Sequence, residues 1–329
     1  MGYRRWPDGT AAILHTDNGR TTWEEQGDST LWEGMWANDI SAVDEFTAWA
    51  AVGDEKGGAI LHTSDGGFNW KLQMLPEGIT DEVKGIKGLS RDVAWALTIG
   101  GIIMRTLDGG EIWTIIPHGD IVMKQINRID ALGEDIWIAD FGSGEQGIIH
   151  SADFGQTWRQ ETLLDPGYLG SQFGLMAVSI VSSEVAWAAV RPAAHIYRTL
   201  DGGDTWSLDA PDVSGPNDLD DICALNAHTA WAVQNIGGQS GDRIIRVRLM
   251  NDEVISDIMD PTNNYQYEGL TCFDENTLWV AGFKAYGASA DLPDGAILHT
   301  SDGGTTWENQ PLSAKNIALW KISFVGAHR

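Results

Sequence analysis

The chain has 329 residues, of which 43% are hydrophobic, with a formal net charge of -26 and a mean hydropathy of -0.19. No run reaches the ~18 uninterrupted apolar residues of a membrane helix, and so acidic a field excludes nucleic acid and anionic lipid as partners while favouring cations or a basic protein. Cys223 and Cys272 are the only cysteines, too few for a disulfide framework and not a CxxC pair, so each is expected to act as a small core hydrophobe.

Taken in chain order, "MGYRRWPDG" has basic residues without an apolar stretch behind them, so no signal peptide is visible. The expected location is extracytoplasmic if a leader has been removed and cytoplasmic otherwise. The segment "TAAILHT" (10–16) then reads as a strand, followed by TDNGRTTW at Thr16–Trp23. Sharper copies of that phrase follow at Thr63–Trp70, Thr106–Trp113, Ser151–Trp158, Thr199–Trp206 and Thr300–Trp307. Their starts lie 43–48 residues apart, apart from one interval of 101. That interval spans two periods, and at its midpoint "RIIRVRLMNDEVI" (243–255) reads as strand, turn, strand without the phrase.

A second beat keeps the same period. Trp49, Trp95, Trp137, Trp187, Trp231 and Trp279 each sit in a short apolar run, preceded by another strand such as "ISAV" (40–43) or "LTCF" (270–273). Four short strands per repeat of about 40–50 residues indicate an all-β propeller of four-stranded antiparallel blades. The count of units predicts seven blades in one domain over 1–329. The chain opens inside a unit and stops after "ALWKISFVG" (318–326), so the ring is expected to close by pairing N-terminal strands with the C-terminal strand.

The repeated phrase [ST]-x-D-x-G-x-x-W reads as a turn fastener. Thr63 and Asp65 are placed to bond turn amides, Gly67 to permit positive φ, and the tryptophan to bury its ring. His15, His62, His150 and His299 precede the phrase where Arg105 and Arg198 stand in other copies. Residues at one repeat position belong to different blades, so these histidines are not expected to converge on a metal.

These units resemble the Asp-box, or BNR, repeat. The run "AWAAVGDEKGGAILHTSDGGFNW" (48–70) is similar to the photosystem II assembly and stability factor-like propellers. The resemblance covers essentially the whole chain, and it implies a seven-bladed scaffold without a catalytic site that binds protein partners. That family's arginine patch has no evident counterpart among 21 Lys and Arg facing 47 Asp and Glu. Asp-box repeats also occur in sialidases and propeller glycoside hydrolases, but "VRPAAH" (190–195) matches the expected sialidase segment poorly.

The non-repeated residues concentrate on one face, where loop lengths vary. The candidate ligand-binding set there is Trp32, Trp36, Asp39, Asp220, Asp221, Tyr265, Tyr267, Glu268, Trp320 and Lys321, with Tyr168 and Phe173 on a long loop. Aromatic faces beside carboxylates suit a partner's Arg or Lys, or the rings of a glycan. Trp36 and Trp320 are alternatively plugs of the channel. Hydrolysis needs two facing carboxylates, and Asp39, Asp220, Asp221 and Glu268 are the only pairings to consider. No GxSxG, HExxH, P-loop or dinucleotide fingerprint is present. The run "DAPDVSGPNDLDD" (209–221) has the oxygen density of a calcium loop without DxDxDG spacing and reads as a solvated loop. The expectation is therefore a monomeric, non-catalytic binding or assembly propeller without cofactor or metal, the alternative being a carbohydrate-binding or carbohydrate-active one.

Overall fold

The computed structural model describes residues 2–4, 9–19, 22–123, 125–140, 147–161, 163, 174–191, 195–210, 218–236, 242–250, 253–259, 261, 265–284 and 294–325. Six blades each take four consecutive strands in up-and-down antiparallel order, and their inner strands are Trp36–Ala42, Val83–Gly88, Ile126–Leu132, Gly174–Ile180, Asp218–Asn226 and Tyr265–Cys272. They are numbered here as blades one to six.

The count of seven blades is corrected by this topology: among the described residues the complete blades number six. The two chain ends share a smaller sheet instead, ordered Ile317–Leu319, Gly2–Arg4, Ala11–His15, Glu24–Gln26. Its innermost strand makes three pairs with Gly2–Arg4, and residues 320–324 leave the ladder altogether. Repeat spacing counts half-units at both ends as a blade, but it cannot show how little ladder they form. Side-chain and backbone bonds reinforce this junction. Ser313 N donates to Trp23 O at 2.9 Å, and Trp279 Nε1 and Gln310 Nε2 both donate to Gly19 O at 2.8 Å.

Burial follows radius. Second strands such as Ala94–Thr98 are covered on both faces and carry unbroken apolar runs, whereas inner strands such as Trp36–Ala42 alternate buried and half-buried positions. Outer strands such as Lys71–Leu72 are exposed. Trp49, Trp95, Trp137, Trp187 and Trp231 are fully buried, each covering apolar area worth about 2–3 kcal/mol. The residue before an Asp-box, or its counterpart Arg246 in blade five, packs on that tryptophan. His62 stacks on Trp49 and His150 on Trp137, both at 3.8 Å, while Arg105 and Arg246 sit over Trp95 and Trp231 at 5.2 and 5.1 Å. A planar side chain satisfies the position, which is why histidine and arginine alternate there.

The Asp-box is a hydrogen-bonded turn. Thr63 Oγ1 donates to Asp65 Oδ1 at 2.9 Å and accepts from Gly67 N at 3.0 Å, while Asn69 N donates to Asp65 Oδ1 at 2.9 Å. The same bonds recur at Asp153, whose carboxyl the Thr157 and Ser151 donors hold down at about 2. Gly67 has φ +86°, and a Cβ there would fall 1.8 Å from Gln26 Oε1 of the closing sheet. The turn therefore also docks one blade onto its neighbour.

Candidate site at the channel mouth

All six inner strands carry a β-bulge at the same register. The pairing slips between Ala37 and Asp39, Val83 and Gly85, Ile126 and Arg128, Leu175 and Ala177, Leu219 and Asp221, and Tyr267 and Gly269. A bulge leaves one residue outside the ladder and re-aims its side chain. The residues so released are Asn38, Lys84, Asn127, Met176, Asp220 and Glu268, and every one lines a single cavity of about 500 Å³ at the mouth of the channel. Trp320, next after the last closing-strand residue, completes the ring, with Trp36, Ala37, Arg128 and Lys321 filling the gaps.

Below the mouth, side chains latch each inner strand to the next. Asp39 Oδ2 accepts from Ile86 N at 3.0 Å and Asp221 Oδ2 from Leu270 N at 3.2 Å. Two residues further along, Ser41 accepts from Gly88 N, Asp130 from Ile180 N, Ser179 from Ala224 N and Ser323 from Ala42 N, at 3.1, 2.9, 3.0 and 3.0 Å. Cys223 stands at that same position in blade five, and it is disulfide-bonded to Cys272 of blade six. The expectation of two independent apolar thiols is thereby corrected: 49 residues of separation is one repeat, so both cysteines arrive on adjacent inner strands.

The mouth is electrically divided. Asp221 lies 2.8 Å from Lys321 Nζ and 3.5 Å from Arg128 Nε, and burial still pushes its carboxyl up to about 6. On blade two, Lys84 Nζ lies 3.7 Å from Glu82, which accepts the Trp36 indole N–H at 2.6 Å. On blades five and six, burial raises Asp220, and burial with Asp220 and Asp242 nearby pushes Glu268 up to about 8. Asp242 accepts from Tyr267 N at 2.9 Å and is itself pushed up to about 6, mainly by burial.

Of the residues singled out in the sequence, Trp36, Asp220, Glu268, Trp320 and Lys321 line the cavity. Asp39 and Asp221 lie beneath it as latches. Trp32 is buried against the closing sheet with its indole N–H on Ala11 O at 2.9 Å, Tyr267 is buried between blades five and six, and half-buried Tyr265 faces Asn309 at 3.5 Å. Tyr168, Phe173 and most of the acidic run 209–221 lie outside the described residues. Lys84, Asn127, Met176 and Arg128 went unrecognised in the sequence. Aligning the inner strands exposes a signal, because the column reading Asn, Lys, Asn, Met, Asp, Glu varies in charge while the column before it, Ala37, Val83, Ile126, Leu175, Leu219 and Tyr267, stays apolar or aromatic. Convergence depends on radius: the histidines before the Asp-boxes are stacked on tryptophans in separate blades, whereas one repeat position on the inner strands meets at the axis. Among the described residues no group of three or more His, Cys, Asp or Glu is placed to hold a metal ion.

A family model described as photosynthesis system II assembly factor YCF48 matches residues 89–218. The chain is similar to the photosystem II assembly factors. The photosystem II assembly lipoprotein Ycf48 of Synechococcus sp. (strain CC9902) is 27% identical, aligned over 56% of this chain and 61% of its own length. Thus the chain spans under two thirds of that relative. The solved YCF48 from Cyanidioschyzon merolae superposes with a TM-score of 0.64 at 17% identity, covering 99% of this chain and 94% of its own. A structure described as YCF48 bound to D1 peptide gives 0.60 at 16%, covering 94% and 88%. An ancestral GH74 enzyme gives 0.56 at 11%, with 94% of this chain and 47% of the enzyme covered. At these identities the superpositions establish a shared propeller fold.

Proposed function

We propose that this chain is a non-catalytic partner-binding propeller of the assembly-factor type, holding a segment of another protein at the channel mouth. One observation carries the reading: seven side chains of six kinds, from Asn38 round to Trp320, converge on one cavity from a single repeat position. Such a ring reads a shape and a charge pattern, which is the task of a recognition surface. A related propeller is described as bound to a D1 peptide, and a peptide-like segment is the occupant proposed here as well. Catalysis is not part of the proposal. Asp39 and Asp221 each accept an amide of the neighbouring blade, which supports reading them as structural carboxylates.

The test is site-specific photo-cross-linking in extract of the native host. A photoreactive residue replacing Asn127, in the mouth, is expected to capture a discrete protein, and one replacing Phe68, on an Asp-box turn, is not. Equal capture from both positions overturns the reading. So does polysaccharide cleavage by the purified protein that Glu268→Gln abolishes.

A further inference from the structure

We propose that the mouth selects a basic side chain of the partner, an arginine or lysine whose cationic head sits between Asp220 and Glu268 with the indole of Trp320 beside it. The inference rests on the partner-binding reading above and adds the chemistry of the contact. Lys321 and Arg128 both face Asp221, at 2.8 and 3.5 Å, and Lys84 lies on blade two beside Glu82 and Asn38. None of them makes an ion pair with Asp220 or Glu268 among the described residues. Asp220 Oδ2 is buried and accepts no hydrogen bond there either, although Asn235 bonds the Asp220 carboxyl and Arg191 and Arg128 act on it electrostatically. A buried carboxylate oxygen without a donor is costly alone and favourable once a charged donor arrives.

The surroundings sharpen the sign. Asp242 and Asp221 add negative potential at Glu268, Arg128 opposes them, and Asp218 beside Asp220 is offset by Arg191 at 3.5 Å. Lys321 Nζ approaches the backbone carbonyl of Glu268 at 3.4 Å, so its ammonium serves the strand and Asp221. A net acidic corner thus adjoins an indole, and a cation stacked on Trp320 gains from both. The rest of the ring supplies orientation: Met176 is apolar on the blade-four side, and Lys84 on blade two repels a second cation.

Docking a cation there also moves a proton. Glu268 is held up to about 8 and so carries a proton near neutral pH. A guanidinium or ammonium at the site favours the carboxylate, the proton leaves to solvent, and affinity rises with pH.

The experiment uses the intact chain and pools of immobilised twelve-residue peptides with randomised flanks and a fixed centre of Arg, Lys, norleucine or Glu. Retention by the Arg and Lys pools is expected to exceed that by the other two about tenfold, to grow between pH 6 and 8.5, and to vanish in the isosteric pair Asp220→Asn, Glu268→Gln. Thermal unfolding of that double variant checks that it is folded, which the neutral, isosteric replacements favour. If peptides bind and Trp36→Ala weakens them while charge at the centre and the double variant change nothing, the mouth reading stands and the basic-side-chain proposal falls. If no pool binds and Trp36→Ala has no effect, both fall.

Discussion

Cys223 and Cys272 join the inner strands of blades five and six at the position where Ser41 reaches Gly88 and Ser179 reaches Ala224 by hydrogen bonds. The disulfide is laid over an existing latch, since Cys272 N also lies 3.1 Å from Cys223 Sγ. Breaking the covalent bond therefore leaves a weaker version of the contact behind. Cys272→Ala is expected to cost roughly 2–4 kcal/mol, the usual value for losing a cross-link over a loop of this size. Adding Cys223→Ser should recover part of that loss, because a serine at this position is the solution used in blades one and four. Urea unfolding of the single and double variants, with and without reductant, measures both steps. Equal stability of Cys223→Ser and Cys223→Ala in the Cys272→Ala background would show that the latch contributes nothing.

The docking of Asp-box turns between sheets can be isolated with glycines. Gly67 and Gly78 have nearly the same backbone, φ +86° and +87°, but a Cβ on Gly67 meets Gln26 Oε1 at 1.8 Å while one on Gly78 meets nothing within 4 Å. Gly78→Ala carries only the strain of a left-handed conformation, about 1 kcal/mol. Gly67→Ala also displaces the flexible end of the Gln26 side chain and is expected to cost up to about 1 kcal/mol more. In a Gln26→Ala background the difference between the two glycine variants should largely disappear, which a double-mutant cycle reads directly.

These two contacts show what the sequence discloses and what it hides. The Asp-boxes and strand tryptophans were legible because their chemistry is local: Thr63, Asp65 and Gly67 complete one turn within five residues. The mouth was half legible. Asp220, Glu268 and Trp320 stand out as unusual residues, but Lys84, Asn127 and Met176 look ordinary within a strand. Their inward orientation comes from bulges, and a bulge breaks the period-two alternation by which strand faces are read. The disulfide and the reduced closing sheet are long-range facts. Cys223 and Cys272 meet only because one repeat is one step round the ring, and Gly2–Arg4 pairs over only three residues with Ile317–Leu319.

His62 makes the molecule sensitive to acid. Burial, followed by the nearby Arg91, lowers its pKa from 6.5 to about 4. The unfolded chain therefore binds a proton that the folded chain refuses between those values, so stability is complete above about 6.5 and falls as pH drops toward 4. His62→Phe keeps a flat ring on Trp49 without a titrating group. It is expected to remove about 2 kcal/mol of the acid-induced loss over that window, measured as the difference in unfolding free energy at pH 7 and pH 4.5. Parallel pH profiles for the variant and the native chain would show that His62 is not the group responsible.

Glu268 acts in the opposite direction. Its carboxyl is raised from 4.5 to about 8, so the folded protein holds a proton that the unfolded chain releases. The associated stability is complete below about 4.5 and is lost as pH climbs through 8. Glu268→Gln presents a neutral side chain of the same shape at every pH. The variant should match the native protein at pH 4.5 and exceed it at pH 9 by about 2 kcal/mol or more. Differential scanning calorimetry at the two pH values gives the comparison. Unequal stabilities already at pH 4.5 would mean that the glutamine changes packing and not charge, and a gap that closes toward pH 9 would mean that Glu268 is ionised and well satisfied in the unliganded mouth.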